Sequence, residues 1–244
     1  SVDHALRLAS LLQMEGTTTV SDAAAHLGVA PSTAHRLLAM LVYRDFATRE
    51  GRSYRVGPLL AQVEQLPGTT GPLRDAALGP MARLMATFEE TVTLMVRTRR
   101  MVRFVAEVEC SHSLRVGHRT GMVFPAHRTS GGLAMLAESD DEAVRQLYAG
   151  AADGEEEPDF HVLFARLDSV RQQGFALNNG LSERGVLAIG HPILDADGVA
   201  VGALSIAMPS SRFEPTAVRP MVPALRKATR ETGAALRPAD QPQP

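Results

Sequence analysis

The chain has 244 residues, which is enough for one large domain or two smaller ones, and its 45% hydrophobic and 21% charged content is typical of a globular protein. The formal net charge of −2 excludes a global positive field, so any nucleic-acid binding must come from locally placed charge. The single cysteine, Cys110, excludes a disulfide framework within the chain and a cysteine-based zinc motif. The sequence shows no apolar run of about 18 residues and no secretory signal pattern, so we expect no membrane contact and a cytoplasmic location.

The first 45 residues predict three helices in close succession. The first runs from Val2 to Gln13, with its apolar residues on one face. After a threonine run, Ser21 is expected to cap a second short helix, Asp22 to Leu27, and Gly28 suits the left-handed position that ends it. The third helix covers Pro31 to Tyr43, because proline is well tolerated in a first helical turn.

The third helix carries the main functional signal. Its apolar residues recur at i, i+3, i+4 and i+7 and form one stripe: Ala34, Leu37, Leu38 and Leu41. The opposite face is short, mostly polar and centred on one arginine: Ser32, His35, Arg36 and Met40, with Thr33 at its edge. Considered alone, such a helix fits an ordinary amphipathic surface helix equally well. Its position after a second helix and a tight turn favours the recognition helix of a helix-turn-helix, which enters the DNA major groove.

A basic hairpin is expected directly after this helix. Two short strands, Phe46 to Arg49 and Tyr54 to Gly57, flank a loop that contains glycine. Arginines on or near the loop could reach phosphate or the minor groove, although a solvated charged turn is the alternative for any one of them. A hairpin of this kind is the wing of a winged helix. The predicted DNA-binding residues are therefore Ser32, Thr33, His35, Arg36, Arg49, Arg52 and Arg55.

The remaining sequence predicts a second, α+β domain. Turn-forming residues at 67–72, after a short helix at 58–66, indicate a domain boundary. Beyond it, strands are expected at 91–96, 102–108, 114–116, 175–178, 186–194 and 199–208, and helices at 73–88 (interrupted at Gly79 and Pro80), 129–137, 142–148, 160–173 and 215–236. Strands flanked by helices at both ends form an α+β sheet domain.

Several of these segments closely resemble transcriptional regulators of the IclR type. The similar runs are SVDHAL at 1–6, STAHRLL at 32–38, YRVG at 54–57, LRVG at 114–117, the helix entry at 127–137, GFA at 174–176, ILDADG at 193–198, GALSI at 202–206 and SRF at 211–213. The resemblance covers nearly the whole chain. It implies an α+β protein in which an N-terminal winged helix-turn-helix domain is followed by a GAF-like α/β effector-binding domain with an antiparallel sheet.

The resemblance also implies an organisation and a set of partners. The expected segments are a winged helix-turn-helix domain at 1–62, a linker at 63–79, an effector-binding and oligomerisation domain at 80–237 and a disordered tail at 238–244. The expected partners are double-stranded DNA with a palindromic operator, a small-molecule effector and further copies of the chain, as a homodimer or a dimer of dimers. The first helix and the helix at 58–66 are candidate dimer surfaces.

The implied effector pocket lies over the sheet of the second domain. Its walls in this chain are Leu114, Val116, Ser130, Gly131, Asn178, Val186, Ala188, Ser205 and Ala207. Exposed amides at the helix start favour an anionic or strongly polar group, and Ser205 and Asn178 offer hydrogen bonds inside an apolar rim.

The chain departs from the family members that bind small acids. Asn178 stands where a carboxylate is common, Ala188 where a cysteine is common and Ala207 where a serine is common. We therefore expect a less polar and roomier pocket, and an effector with an aromatic or aliphatic body, such as a catabolic intermediate.

Competing functions have weaker support in the sequence. An enzyme is not expected, because Cys110 lacks a recognisable activating arrangement and neither a Gly-rich phosphate loop nor a Gly-x-Ser-x-Gly elbow occurs. No metal or other cofactor is expected, since the histidines of the second domain match no compact zinc motif: His112, His118, His127 and His191. A helix-turn-helix that binds a protein remains an alternative. For a regulator we favour a repressor over an activator of a catabolic operon.

Overall fold

The computed structural model describes residues 2–61, 70–149 and 157–236. The elements up to residue 61 form one compact unit, and those from residue 70 onward form a second. No helix among these described residues is long and apolar enough to cross a membrane. The end of the helix expected at 58–66, residues 150–156 and the tail expected at 238–244 lie outside the described residues.

The N-terminal unit has four helices and three short strands in the described part of the chain. In order they are α1 (Val2–Glu15), β1 (Thr17–Thr19), α2 (Val20–Leu27), α3 (Pro31–Tyr43), β2 (Ala47–Glu50), β3 (Ser53–Val56) and α4 (Pro58–Ala61). The strands pair antiparallel in the order β1-β3-β2. The three helices α1 to α3 and the sheet enclose one apolar core whose most buried members are Leu8, Leu12, Ala23, Ala34 and Leu38. This is the winged helix-turn-helix that the sequence predicts.

Two turns of this unit depend on glycine. Gly28 ends α2 with φ of 65°, and its backbone N–H donates to the last turn of the helix. Gly51 has φ of 62° at the tip of the β2–β3 hairpin. Residues with a Cβ rarely adopt this left-handed backbone, so both positions favour glycine.

The threonine run before α2 forms β1, in which Thr18 is paired with Tyr54 of β3, because β-branched residues suit extended backbone. The expected cap at Ser21 is wrong, since α2 begins earlier, at Val20. The Thr19 hydroxyl oxygen accepts from the backbone N–H of Asp22 at 3.3 Å and acts as the cap.

The C-terminal unit is a sheet with helices on both faces. Its elements are α5 (Thr70–Phe88), β4 (Thr91–Thr98), β5 (Met101–Val108), β6 (Val123–Pro125), α6 (Ser130–Ala137), α7 (Asp141–Tyr148), α8 (Phe160–Gln173), β7 (Ala176–Asn179), β8 (Val186–Leu194), β9 (Ala200–Pro209) and α9 (Val218–Ala235), with short 3-10 turns at Ala126–Arg128, Ser210–Arg212 and Pro215–Ala217. The strand order is β6-β5-β4-β9-β8-β7.

The two faces of this sheet have different partners. One face packs against α5 and α9 in a large apolar core, to which β9 contributes Leu204 and Ile206. The other face meets α6, where glycine allows the helix to lie close to the strands. A Cβ on Gly190 of β8 would lie 2.5 Å from the carbonyl carbon of Ser130. Side chains alternate along β9, so Ser205 and Ala207 face α6 while their neighbours fill the core.

Two sequence expectations for this unit are wrong. Residues 114–116 form no strand; they lie in an irregular loop at 109–120, and the third strand is β6. Side-chain contacts, and not the hydrogen bonds of a strand ladder, fix the position of this loop. The helix at 73–88 is not interrupted, because α5 continues through Pro80, which is itself buried. The free energy gained by burying the apolar face of α5, which includes Pro80, outweighs the loss of the backbone hydrogen bond that proline cannot donate.

The linker expected at 63–79 overlaps the N-terminal half of helix α5. Residues 70–79 are helical, and Leu73 and Ala77 belong to the apolar core of the C-terminal unit. Residues 63–69 lie outside the described part of the chain.

Candidate DNA-reading surface and effector site

Helix α3 presents the outward face that the sequence predicts. Ala34 and Leu38 are completely buried in the core of the N-terminal unit. Ser32, His35 and Arg36 are exposed on the opposite side. Thr33 is half-buried at the edge of this face. Three of the four expected reading residues are therefore available to a ligand, and the fourth borders them.

The positive end of the α3 helix dipole is not neutralised by a side chain of the helix itself. Its N-cap residue is Ala30, which makes no side-chain capping bond, and the first turn contains no acidic residue. The aligned peptide dipoles give such an end a partial positive charge, which neighbouring anions stabilise. A phosphate oxygen is a suitable partner here, and Ser32 lies in this first turn.

The three wing arginines differ in their contacts. Arg49 donates from Nε to the carbonyl oxygen of Gly51 at 3.1 Å and lies over the ring of Tyr54. Arg55 pairs with Glu50 at 3.1 Å on the exposed surface. Arg52 is exposed beside Gly51 at the hairpin tip. Arg49 and Arg55 thus have partners within the wing, whereas Arg52 projects from its tip.

The polar end of the expected effector site is a pair of buried hydroxyls. The Oγ atoms of Ser130 on α6 and Ser205 on β9 are 2.7 Å apart, and both residues are at least 98% buried. Gly131 follows Ser130 and lies against the side chains of Met95 and Ala203, where a Cβ would be crowded. The structure therefore brings together the first turn of α6 and the serine of β9, as the resemblance implies.

The apolar end is a small cluster on the same sheet face. It consists of buried Val116, Ala188 and Ala207, with half-buried Val186 packed against them. Val116 comes from the loop at 109–120 and reaches the alanines of β8 and β9. Leu114 is not brought to this cluster, because its side chain is 63% exposed.

Asn178 lies beside this site but is occupied by structural contacts. Its amide nitrogen donates to the carbonyl oxygen of Arg128 at 2.8 Å and to the hydroxyl of Ser182 at 3.3 Å. Its amide oxygen accepts from the backbone N–H of Leu181 at 2.9 Å. Since both ends of the amide are engaged, Asn178 orders the turn after β7 more than it offers hydrogen bonds to a ligand.

The loop at 109–120 is fastened over the site by charged side chains. Arg212 donates to both carboxylate oxygens of the buried Glu90, at 2.5 and 2.7 Å, and to the carbonyl oxygen of Leu114 at 2.9 Å. The hydrogen bond to Glu90 raises the pKa of Arg212. Nearby, the Arg119 guanidinium pairs with Glu183, and its backbone N–H donates to the carboxylate of Glu107 at 2.7 Å.

Two threonines at this site were not among the predicted site residues. Thr93 of β4 is in register with Ser205, and Thr91 is in register with Ala207, so both belong to the sheet face under α6. Both are at least 99% buried, and the Thr91 hydroxyl accepts from the backbone N–H of Cys110 at 3.4 Å. Polar and apolar residues alternate along Thr91, Val92, Thr93 and Leu94. This pattern could have placed the two threonines on one face of the strand.

One group of possible metal ligands occurs in the described ranges. Ligand atoms of Glu107, Glu109 and His118 lie within 4.8 Å of one another. Glu109 also pairs with Arg115 at 2.8 Å, and this hydrogen bond lowers the pKa of Glu109. His118 pairs with Glu107. Each of these three side chains thus has a hydrogen-bond partner within the protein, which is the arrangement of a surface hydrogen-bond and ion-pair network.

The fold and the two sites define a class of protein. A winged helix-turn-helix with an exposed reading helix, followed by a domain with a buried polar and apolar site, is the architecture of a transcriptional regulator. The helix-turn-helix domain model of IclR regulators matches residues 1–51, and the model of the bacterial transcriptional regulator IclR C-terminal domain matches residues 69–233. The chain belongs to the IclR family of bacterial transcriptional regulators.

Individual relatives agree with this assignment. The chain is 25% identical to the HTH-type transcriptional regulator KdgR of Escherichia coli K12, over 99% of this chain and 95% of KdgR. It is 26% identical to the HTH-type transcriptional repressor AllR of the same strain, over 81% of this chain and 75% of AllR. These relatives are regulators, and the family is not enzymatic.

A solved structure supports the fold. An IclR homologue from Microbacterium hydrocarbonoxydans, crystallised in complex with 4-hydroxybenzoate, superposes with a TM-score of 0.66 at 23% identity and covers 97% of this chain and 99% of that one.

Proposed function

We propose that this regulator is a cytoplasmic repressor that binds a palindromic operator as a homodimer or dimer of dimers, and that a small effector with an aromatic or aliphatic body controls its affinity for DNA. The observation that carries the DNA part is the exposed polar half of α3, which stands beside a basic wing. The relative AllR is named a repressor, which supports the direction of regulation.

The proposed contacts follow from the position of each side chain. Ser32 and Thr33 at the start of α3 hydrogen-bond to phosphate or base edges, and His35 and Arg36 enter the major groove. Arg36 either reads a guanine through two hydrogen bonds or holds a phosphate. The wing arginines contact the phosphate backbone or the minor groove, with Arg52 at the tip in the leading position.

Binding of purified full-length protein to duplexes selected from a random pool tests the DNA part. We expect affinity to fall steeply with salt, and Arg36→Ala to cost roughly 1–3 kcal/mol if Arg36 reads a base. Arg83→Ala is the matched control, because Arg83 is exposed on α5 of the other unit and loses the same charge. Unchanged affinity of Arg36→Ala at fixed salt, or a salt slope near zero, would contradict the assignment. A slope near zero would favour a protein partner instead.

Association of two copies is needed because one recognition helix contacts little DNA. Val2 and Leu6 lie one turn apart on α1 and are 78% and 64% exposed. An apolar pair of this kind suits a contact between copies, as the family resemblance implies for the first helix. We expect Leu6→Asp to weaken self-association in analytical ultracentrifugation, and an unchanged mass would exclude α1 from the interface.

The effector part rests on the site between α6 and the sheet. Ser130 and Ser205 offer a compact polar end, while Val116, Ala188 and Ala207 offer an apolar one. Hydroxyls beside an apolar cluster match the chemistry of a ring or short alkyl chain that bears one polar group. The 4-hydroxybenzoate bound by the Microbacterium homologue has this chemistry and is a suitable first probe.

Thermal shift and calorimetry with 4-hydroxybenzoate, other aromatic acids and glyoxylate test the effector part. A ligand present at 100 times its dissociation constant adds about 2.7 kcal/mol of stability. Ser205→Ala should weaken binding, whereas Ser210→Ala, at an exposed serine just after β9, should not. Tight binding of glyoxylate with no response to any aromatic acid would refute the proposed effector class.

A further inference from the structure

The outward face of α3 changes character along its length. Its first half carries hydroxyls, a histidine and Arg36, whereas its second half is apolar. Ala39, Met40 and Tyr43 all point outward, and Met40 and Tyr43 are 55% and 75% exposed. The last turn of the helix contains no basic residue. The second half of the face therefore offers methyl and thioether surface at Ala39 and Met40. Positive charge returns at the C-cap residue, Arg44, whose guanidinium lies 5.4 Å from the centre of the Tyr43 ring.

Met40 is directly in line with the expected reading residue. Residues four apart on a helix share a face, so Met40 follows Arg36 by one turn. At 1.5 Å per residue, the two positions are about 6 Å apart along the helix axis. Base pairs are about 3.4 Å apart, so an axis lying along the groove places Met40 about two base pairs from the contact made by Arg36.

We propose that Met40, with Ala39 beside it, reads the 5-methyl group of a thymine in the operator half-site, about two base pairs from the nucleotide that Arg36 contacts. Thymine is the only base that presents a methyl group in the major groove, and apolar side chains are its natural partners there. Met40 has a flexible, polarisable side chain that can adapt to such a contact. The inference rests on the proposed function, because it requires α3 to enter the major groove.

The test uses the full-length protein and a duplex selected from a random pool. Each thymine of one half-site is replaced in turn by uracil, which removes the methyl group and keeps the base pairing. We expect uracil at one position to weaken binding of the wild-type protein by about fourfold, the effect of losing one buried methyl group. If Arg36 reads a base, that position should lie about two base pairs from the one at which Arg36→Ala relaxes sequence preference.

A double-mutant cycle identifies the side chain involved. Met40→Ala should weaken binding to the thymine duplex by a similar factor, while its own response to uracil falls below about twofold. Its salt slope should equal that of the wild type, because no phosphate contact is lost. Val199→Ala is the control, since Val199 is an apolar residue 58% exposed in the other unit and should leave both duplexes unaffected.

Two results would overturn the inference. The first is wild-type binding that is unaffected by uracil at every thymine. The second is a uracil effect that persists in Met40→Ala. In that case the substitution weakens binding to both duplexes by the same factor, which would indicate a role in folding or in contact with a protein. Failure of the proposed function itself is distinct, because the wild-type chain would then show no salt-dependent binding to any selected duplex.

Discussion

The wing arginines differ in how free they are to bind phosphate. Arg52 lies at the hairpin tip, whereas Arg55 is paired with Glu50 and gives up that pair if it contacts DNA. We predict that Arg52→Ala lowers the salt slope of DNA binding by about one, the effect of one lost phosphate contact, and that Arg55→Ala changes it less. Fluorescence anisotropy over a range of salt concentrations measures both slopes. A larger change for Arg55→Ala would reverse the assignment within the wing.

We expect His191 to make the stability of the C-terminal unit dependent on pH. Burial is the main cause that lowers its pKa below 6.5, and Arg226 and Arg230 add to the effect, although the Pro192 carbonyl opposes it. Its Nδ1 also lies 2.9 Å from the Thr229 hydroxyl. The unfolded chain therefore binds a proton that the folded chain does not, so stability is full above pH 6.5 and falls as the pH decreases below it.

We predict that His191→Gln flattens the decrease in the free energy of unfolding between pH 7 and pH 5. One group can contribute at most about 1.4 kcal/mol per pH unit. Denaturant unfolding at a series of pH values gives the difference between variant and wild type, which isolates His191 from other titrating groups. His26→Gln, at an exposed position of α2, is the control. Parallel curves for wild type and His191→Gln would exclude this residue as the cause.

At the scale of elements, one buried ion pair is among the contacts that hold the loop at 109–120. The Glu90 side chain is 6% exposed, and Arg212 binds it as well as the loop carbonyl at Leu114. Removing Arg212 leaves a buried carboxylate without its partner, so Arg212→Met should lower stability by roughly 2–4 kcal/mol. Arg83→Met breaks the exposed pair with Glu231 and should cost under about 1 kcal/mol. Equal costs in chemical denaturation would show that Glu90 is not held as proposed.

The elements that the sequence predicted best are those with strong local signals. Helix α3 has the predicted bounds because its apolar period, Pro31 and the Gly28 turn all agree. The segment at 114–116 alternates like a strand but pairs with no strand in the described part of the chain. Arg212, 98 residues after Leu114, holds it in place. Such contacts between distant positions leave no local pattern. Pro80 similarly predicted a break in α5 that the burial of the helix overrides.

The candidate effector site could also be predicted only in part, because some of its residues meet only in the folded domain. Family resemblance supplied Ser130 and Ser205, which the structure places 2.7 Å apart. It did not supply Thr91 and Thr93, which become neighbours of this site only through the register of β4 with β9. The hydrogen bonds by which Asn178 orders the turn after β7 could not be predicted from the sequence either, because Asn178 meets these partners only in the folded chain.

The whole molecule is expected to act as a thermodynamic coupler. If the effector changes affinity for the operator by some factor, operator DNA must change affinity for the effector by the same factor. We predict this equality for the wild-type chain, with effector affinity measured by calorimetry in the presence and absence of the selected duplex. Typical couplings correspond to about 5- to 150-fold.

Two variants separate the coupled sites from one another. Arg36→Ala should weaken DNA binding but leave effector affinity of the free protein unchanged, because Arg36 lies on the exposed face of α3. Ser205→Ala should weaken effector binding but leave effector-free DNA affinity unchanged, because Ser205 is buried under α6. Equal operator affinity with and without a ligand that binds tightly at Ser205 would show that the site is not regulatory. A loss of both activities in either variant would instead indicate a general folding defect.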